Sequence, residues 1–145
     1  MIELKKSRQN EFKKLAKIYS DEYSKTPFNE PWTIKKAITK LKIFSKYCDI
    51  YSIFENKKLI GFIIINPSCW CPGEIVFGEE MAIDDKYQRK GIATEVFNEI
   101  FKIYKKKGYK RYLGIVNKNS KSFGLHKKIG CKINKSDFLM EKELK

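Results

Sequence analysis

At 145 residues, with 42% hydrophobic and 14% aromatic content, the chain is long enough for one domain with its own core and too apolar to be disordered. Lys and Arg outnumber Asp and Glu by 31 to 17, a net charge of +14 that draws anionic partners in general. Only Arg8, Arg89 and Arg111 are arginines, whereas nucleic-acid readers lean on arginine for bidentate contacts, so the excess reads as a lysine-rich background and no nucleic-acid partner is favoured. No run approaches the ~20 apolar residues of a membrane span, and the start MIELKKSRQNEFKK lacks an apolar signal core, so a cytoplasmic protein with no membrane partner is expected.

In chain order, residues 2–6 read as a short strand, and residues 10–24 as a helix with Phe12, Leu15, Ile18, Tyr19 and Tyr23 at helical spacing. Pro27 and Pro31 break the loop 25–32. Thr33 is placed to cap a second helix, whose inner face carries Ala37, Ile38, Leu41 and Phe44. Residues 50–54 and 59–65 flank the tight turn 55–58 as a hairpin, and the second of these is apolar on both faces, as befits the middle of a sheet. After a loop over 67–73, residues 74–83 predict a strand with Ile75, Phe77, Glu79, Met81 and Ile83 on one face. A long helix follows over 91–107, closed by Gly108, then a strand over 111–116, an Asn-capped helix over 119–129 closed by Gly130, and a last strand over 138–144. The order β-α-α-β-β-β-α-β-α-β is α+β, or mixed α/β, around one central sheet. Cys48, Cys69, Cys71 and Cys131 match no common zinc spacing, and no metal site or disulfide is expected; they read as small apolar residues, with Cys69 and Cys71 beside Trp70 as candidates for exposure.

The segment 83–94 carries the sharpest chemistry. A strand ends, a polar loop turns, and Gly91 opens the longest helix. The first-turn amides of a helix have no intrahelical acceptor and sit at the positive end of the macrodipole. A glycine there lets a ligand come close to the backbone, and Ala93 is nearly as small. Arg89 and Lys90 add charge at a point where cations oppose the dipole, which fits a pyrophosphate site better than a merely capped helix.

The run Gln88-Arg-Lys-Gly91-Ile-Ala93, preceded by Ala82-Ile83-Asp84, resembles the Q/R-x-x-G-x-G/A signature of the GCN5-related N-acetyltransferase (GNAT) family. A second block, Asn119-Ser-Lys-Ser122-Phe-Gly-Leu125-His126-Lys-Lys-Ile-Gly130-Cys131, is similar to that family's N-x-x-A-x-x-L-Y-x-x-x-G-F. The order of elements matches over essentially the whole chain. The resemblance implies a single N-acetyltransferase domain over 1–145 with the acyl-CoA N-acyltransferase fold, a mixed central sheet with a splayed strand pair flanked by helices. It implies acetyl-CoA as cofactor, its pyrophosphate cradled by Gln88, Arg89, Lys90, Gly91, Ile92, Ala93 and Thr94. Its pantetheine would run along a bulged strand at Met81, Ala82 and Ile83, with further contacts from Asn119 and Ser122 of the second block.

Transfer of an acetyl group to an amine needs a proton acceptor for the amine, a donor for the thioester oxygen and a proton for the departing thiolate. Where the family's tyrosine acid would stand, this chain has His126, its only histidine, and an imidazole can take part in proton transfer at neutral pH. As an acid or hydrogen-bond donor to sulfur it competes with the plain reading of a histidine near a helix end. Glu79 and Glu80 are the candidate bases; the pattern Glu79-Glu-Met-Ala-Ile83 resembles that of aminoglycoside-modifying members, while Gly114 stands where the branch acting on ribosomal-protein N-termini carries a glutamate. Phe28, Glu30 and Trp32 in the first interhelical loop are candidates for the acceptor pocket; Phe28 and Trp32 also read as fillers of the core edge, the reading preferred for Trp32 at a helix start. The expected partner is thus a small-molecule or peptide amine. The alternatives are a non-catalytic acyl-CoA-binding protein or a nucleic-acid-associated protein on the same scaffold. Many GNAT proteins form homodimers, but no interface signature is evident here.

Overall fold

The computed structural model describes residues 1–144. β1 (Ile2–Lys6) leads through a 3₁₀ turn, Gln9–Glu11, into α1 (Phe12–Tyr23), followed by α2 (Ile34–Phe44), β2 (Asp49–Glu55), β3 (Lys58–Asn66) and β4 (Ile75–Ile83). A second 3₁₀ turn, Asp85–Tyr87, precedes α3 (Ile92–Lys106), β5 (Arg111–Gly114) and α4 (Lys121–Lys128). Thr33 caps α2 as its position in the sequence suggests, its hydroxyl accepting from the Lys36 amide at 3.2 Å.

The five strands lie in the order β1-β2-β3-β4-β5, antiparallel as far as β4, with β5 joined in parallel. β3 sits in the middle, and its apolar run has two faces to cover. Phe62 and Ile64 pack with Leu15, Tyr19, Ala37 and Leu41 of α1 and α2. Ile63 and Ile65 pack with Val96, Phe97 and Ile100 of α3. A central sheet with helices on both faces results.

β4 departs from simple alternation. Ile64 pairs with Glu80 and Ile65 with Gly78, leaving Glu79 as the extra residue of a bulge. The side-chain phase shifts across it. Val76, not Ile75 or Phe77, joins Met81 and Ile83 in the core beneath α3, while Phe77 stacks against Trp70. The single face expected from Ile75 to Ile83 is therefore corrected, because a bulge inserts one residue into a period of two. β5 pairs with β4 only from Ile75 to Gly78, so the two strands part beyond Gly78 and leave a fork.

Three other expectations change. The fourth helix begins at Lys121 with Ser120 as N-cap, not at Asn119, because the Asn117 side chain accepts from the Asn119 amide (2.8 Å) and holds a turn there. β5 stops at Gly114, two residues short of the expected end. Residues 138–144 form no strand: Phe138, Leu139, Met140 and Leu144 are exposed. Lys132, Ile133, Asn134, Ser136 and Asp137 stand off from the outer edge of β5, with an open groove between, so the tail has no ladder to join. Cys69 and Cys71, the candidates for exposure, are indeed exposed, and of the four cysteines only Cys48 is buried.

Candidate active site

A cleft of about 980 Å³ follows the fork between β4 and β5 and reaches the start of α3. Gly91 has φ +81°, and an added Cβ there would meet nothing within 4 Å. Arg89 is also left-handed at φ 62°, so the chain curls through 89–91 before the helix starts. The first intrahelical bond runs from the Glu95 amide to the Gly91 carbonyl at 3.1 Å. The amides of Ile92, Ala93 and Thr94 precede it and have no acceptor among the described residues. This backbone concavity at the positive end of a helix suits a phosphate group. Gln88, Arg89, Gly91, Ile92, Ala93 and Thr94 all line the cleft, as do Met81, Ala82 and Ile83. Lys90 does not; its ammonium sits 5.3 Å from the centre of the Tyr87 ring.

The Gln88 side chain is a strut. Its amide donates to Glu22 and to the Ile83 carbonyl, both at 2.8 Å, tying the turn to α1 and to the end of β4. The Met81 carbonyl accepts from the Tyr23 hydroxyl at 3.1 Å. The second block divides: Ser122 lines the cleft, while Asn119 is exposed and outside it, and Asn117 lines the wall instead. The Asn in the motif pointed to 119, and only the observed turn reveals 117.

The other end of the cleft is acidic. Glu79 accepts from the Asn66 side chain at 2.8 Å, and Glu80 pairs with Lys40 of α2 at 2.7 Å. Burial, then the Glu80 charge, pushes the Tyr19 and Tyr23 hydroxyls well above the usual tyrosine range, so both stay protonated beside Glu80. Glu30 and Phe28 line the cleft; Trp32 does not. The Trp32 ring packs edge-on to Tyr19 at 4.5 Å, and its indole donates to Glu30 at 2.6 Å, so it supports Glu30 from behind.

The cleft is also lined by His126 and by a residue singled out for no site role by the sequence, Tyr112. The His126 Nδ1 lies 2.7 Å from the Ser122 carbonyl, and Nε2 lies 3.3 Å from the Tyr112 hydroxyl. Phe97 packs edge-on to the imidazole at 5.0 Å. Three convergent polar groups, an anion cradle and an apolar wall in one groove are what a two-substrate site requires.

The family model for the acetyltransferase (GNAT) family matches residues 12–131. The chain belongs to the GNAT family. No curated protein matches it by sequence. Among solved structures, a possible acetyltransferase from Clostridium difficile 630 has a TM-score of 0.82 at 16% identity, with 100% of this chain and 99% of that one covered. A ribosomal-protein-alanine N-acetyltransferase from Brucella melitensis biovar Abortus 2308 has a TM-score of 0.75 at 11% identity, with 99% and 100% covered. An aminoglycoside acetyltransferase from an uncultured soil metagenomic sample, in complex with sisomicin, has a TM-score of 0.71 at 13% identity, with 99% and 97% covered. At these identities the likeness is one of fold. The GNAT fold expected from the sequence is present, with its mixed sheet and splayed strand pair. No helix among the described residues is long and apolar enough to cross a membrane, and no metal-binding group of His, Cys, Asp or Glu occurs among them.

Proposed function

We propose that this GNAT protein is an acetyl-CoA-dependent N-acetyltransferase that moves an acetyl group to a primary amine of a small molecule or peptide, by direct attack with both substrates bound. The observation that carries this reading is the single groove joining the open amides at Gly91–Thr94 to Glu79, Glu80 and His126. The residues fit acetyl-CoA. The backbone of Gln88, Gly91, Ile92, Ala93 and Thr94, with the Arg89 guanidinium, would hold the diphosphate. Met81 and Ile83 would present main-chain groups along the splayed edge, and Ser122 would face the thiol end. When bound, acetyl-CoA supplies an activated acyl carbon.

The chain's own groups do the rest. Glu30, Glu79 and Glu80 offset the positive field and attract a cationic amine to the acceptor end. Glu79 is the better candidate for base, because Glu80 is already engaged by Lys40. Its bond from Asn66 leaves the second carboxylate oxygen for the acceptor's proton. Amine polyvalency favours compounds such as polyamines or aminoglycosides over a lone peptide terminus, since Glu30 and Glu79 can each find a partner.

A thermal-shift series and calorimetric titration with acetyl-CoA, followed by turnover against a panel of polyamines, aminoglycosides and N-terminal peptides, tests the proposal. Binding together with acetylated product is expected. Absence of acetyl-CoA binding at millimolar concentration refutes it, and binding without turnover on any amine favours a non-catalytic acyl-CoA binder.

A further inference from the structure

The Tyr112 ring lies across the fork where β4 and β5 part, over Gly78 and Gly114, which are themselves partners in the ladder. A Cβ at position 78 would collide with the Tyr112 hydroxyl and ring, and one at 114 would come within 3.0 Å of the hydroxyl. Two glycines therefore clear the space that lets a β5 tyrosine lie over its own sheet and reach α4. Phe97 and Phe101 of α3 hold the ring edge-on from the other side, at 5.8 and 5.2 Å.

The hydroxyl's partner is Nε2 of His126. A carbonyl can only accept, so at 2.7 Å from the Ser122 carbonyl Nδ1 must carry the proton. In the neutral imidazole Nε2 is then bare, and the Tyr112 hydroxyl donates to it. So a neutral His126 has no proton at Nε2 to offer a thiolate, and the simple acid role suggested by the sequence does not suit this geometry. Burial, then the neighbouring Cys131, pushes the Tyr112 hydroxyl far above its ordinary range, so Tyr112 gives up its proton only while receiving another.

We propose that Tyr112 and His126 form a proton relay in the cleft, Tyr112 passing a proton between the reacting atoms and Nε2 of a His126 held as its Nδ1–H tautomer. The relay deepens the transferase reading and rests on it. The steps balance as follows. The amine nitrogen, already free of its first proton, bonds to the acyl carbon. Its remaining excess proton passes to the Tyr112 oxygen as the Tyr112 proton moves to Nε2. His126 is then an imidazolium, steadied by the Ser122 carbonyl. As the carbon–sulfur bond breaks and its electron pair leaves on sulfur, Nε2 returns a proton to Tyr112, and Tyr112 delivers one to the thiolate. The amide and free thiol are the products, and both side chains regain their starting states.

Because His126 is the only histidine, its ring nitrogens can be read without assignment by ¹⁵N NMR of the free protein above neutral pH. The expected result is a protonated Nδ1 and a bare Nε2 in the wild type and in Tyr112→Phe alike, since the Ser122 carbonyl sets the tautomer, with the Nε2 resonance moving in the variant as it loses the hydroxyl's hydrogen bond. Kinetically, Tyr112→Phe should lower kcat about 100-fold, the usual scale of a proton-transfer group, while acetyl-CoA affinity and melting temperature stay near wild type. Gly78→Ala, whose methyl pushes the ring and its hydroxyl out of place but leaves the hydroxyl on the chain, should reproduce the kcat loss. A wild-type Nε2–H tautomer, or full kcat in Tyr112→Phe, overturns the relay. Should the wild type acetylate no amine at all, the transferase reading falls and the relay with it. The NMR result still decides separately whether Tyr112 and Ser122 fix the imidazole.

Discussion

Gly91 and Gly108 stand at opposite ends of α3 and make a matched pair of probes. Both have left-handed backbone, φ +81° and +92°, and a Cβ added at either meets nothing within 4 Å. An alanine at each position therefore adds no clash and carries the same backbone penalty, about 1–2 kcal/mol for an L-residue held in that region. For a chain of this size that amounts to a melting temperature lowered by roughly 3–7 °C. The two differ in one respect: Gly91 lines the cleft and Gly108 does not. Gly91→Ala and Gly108→Ala should thus melt within a degree or two of each other by scanning calorimetry. In isothermal titration with acetyl-CoA, only Gly91→Ala should lose affinity, by about tenfold or more, a methyl group now standing where a diphosphate must approach the amides of Ile92, Ala93 and Thr94. Equal affinities for the two variants would refute the cradle, and a loss shared by both would mean that helix stability, not direct contact, governs binding.

Glu79→Gln keeps an acceptor for Asn66 but removes the base; kcat should fall about 100-fold with little change in melting temperature, and a wild-type rate would eliminate Glu79 from the chemistry. Asp49 gives a pH prediction. Burial alone would raise its carboxyl, but hydrogen bonds from Lys6 and Tyr104, with the charges of Lys6 and Lys107, outweigh burial and hold it below the usual carboxylate range. A depressed folded-state value means the stability it contributes is present above the unfolded pKa of about 3.9 and is lost as pH falls through the folded value. Urea midpoints between pH 7 and 2.5 should accordingly drop less steeply below pH 4 in Asp49→Asn than in the wild type. Phe62 is fully buried between the sheet and Tyr19, whose ring stacks on it at 5.6 Å. Phe62→Ala should cost about 3–5 kcal/mol in denaturant unfolding, the range for an aromatic deleted from a packed core.

Much of the site was legible because its signals are local. A glycine after a polar strand-end loop, opening a long amphipathic helix, specifies the α3 turn within a dozen residues. His126 and Ser122 lie one turn apart on one helix, so their contact follows from helical spacing alone. Glu79 and Glu80 were found as charges in an otherwise apolar strand. Asn119 falls outside the cleft for a local reason too, a side chain–backbone turn at Asn117 that competes with the expected cap.

The amino-acid sequence by itself determined the four helices, the first five strands in chain order and the glycine-opened turn before α3, since each depends on periodicity and turn chemistry over a few residues. Only the tertiary structure decided which carboxylate Lys40 engages, where the bulge in β4 reverses the alternation, and that Tyr112 reaches His126 across two glycines. Those outcomes join positions far apart in the chain and are settled by packing, which no short stretch encodes. The tail at 138–144 teaches the same point from the other side: an apolar run such as Phe138-Leu139-Met140 makes a strand only where it lies against a neighbouring edge, and here the tail pairs with no strand.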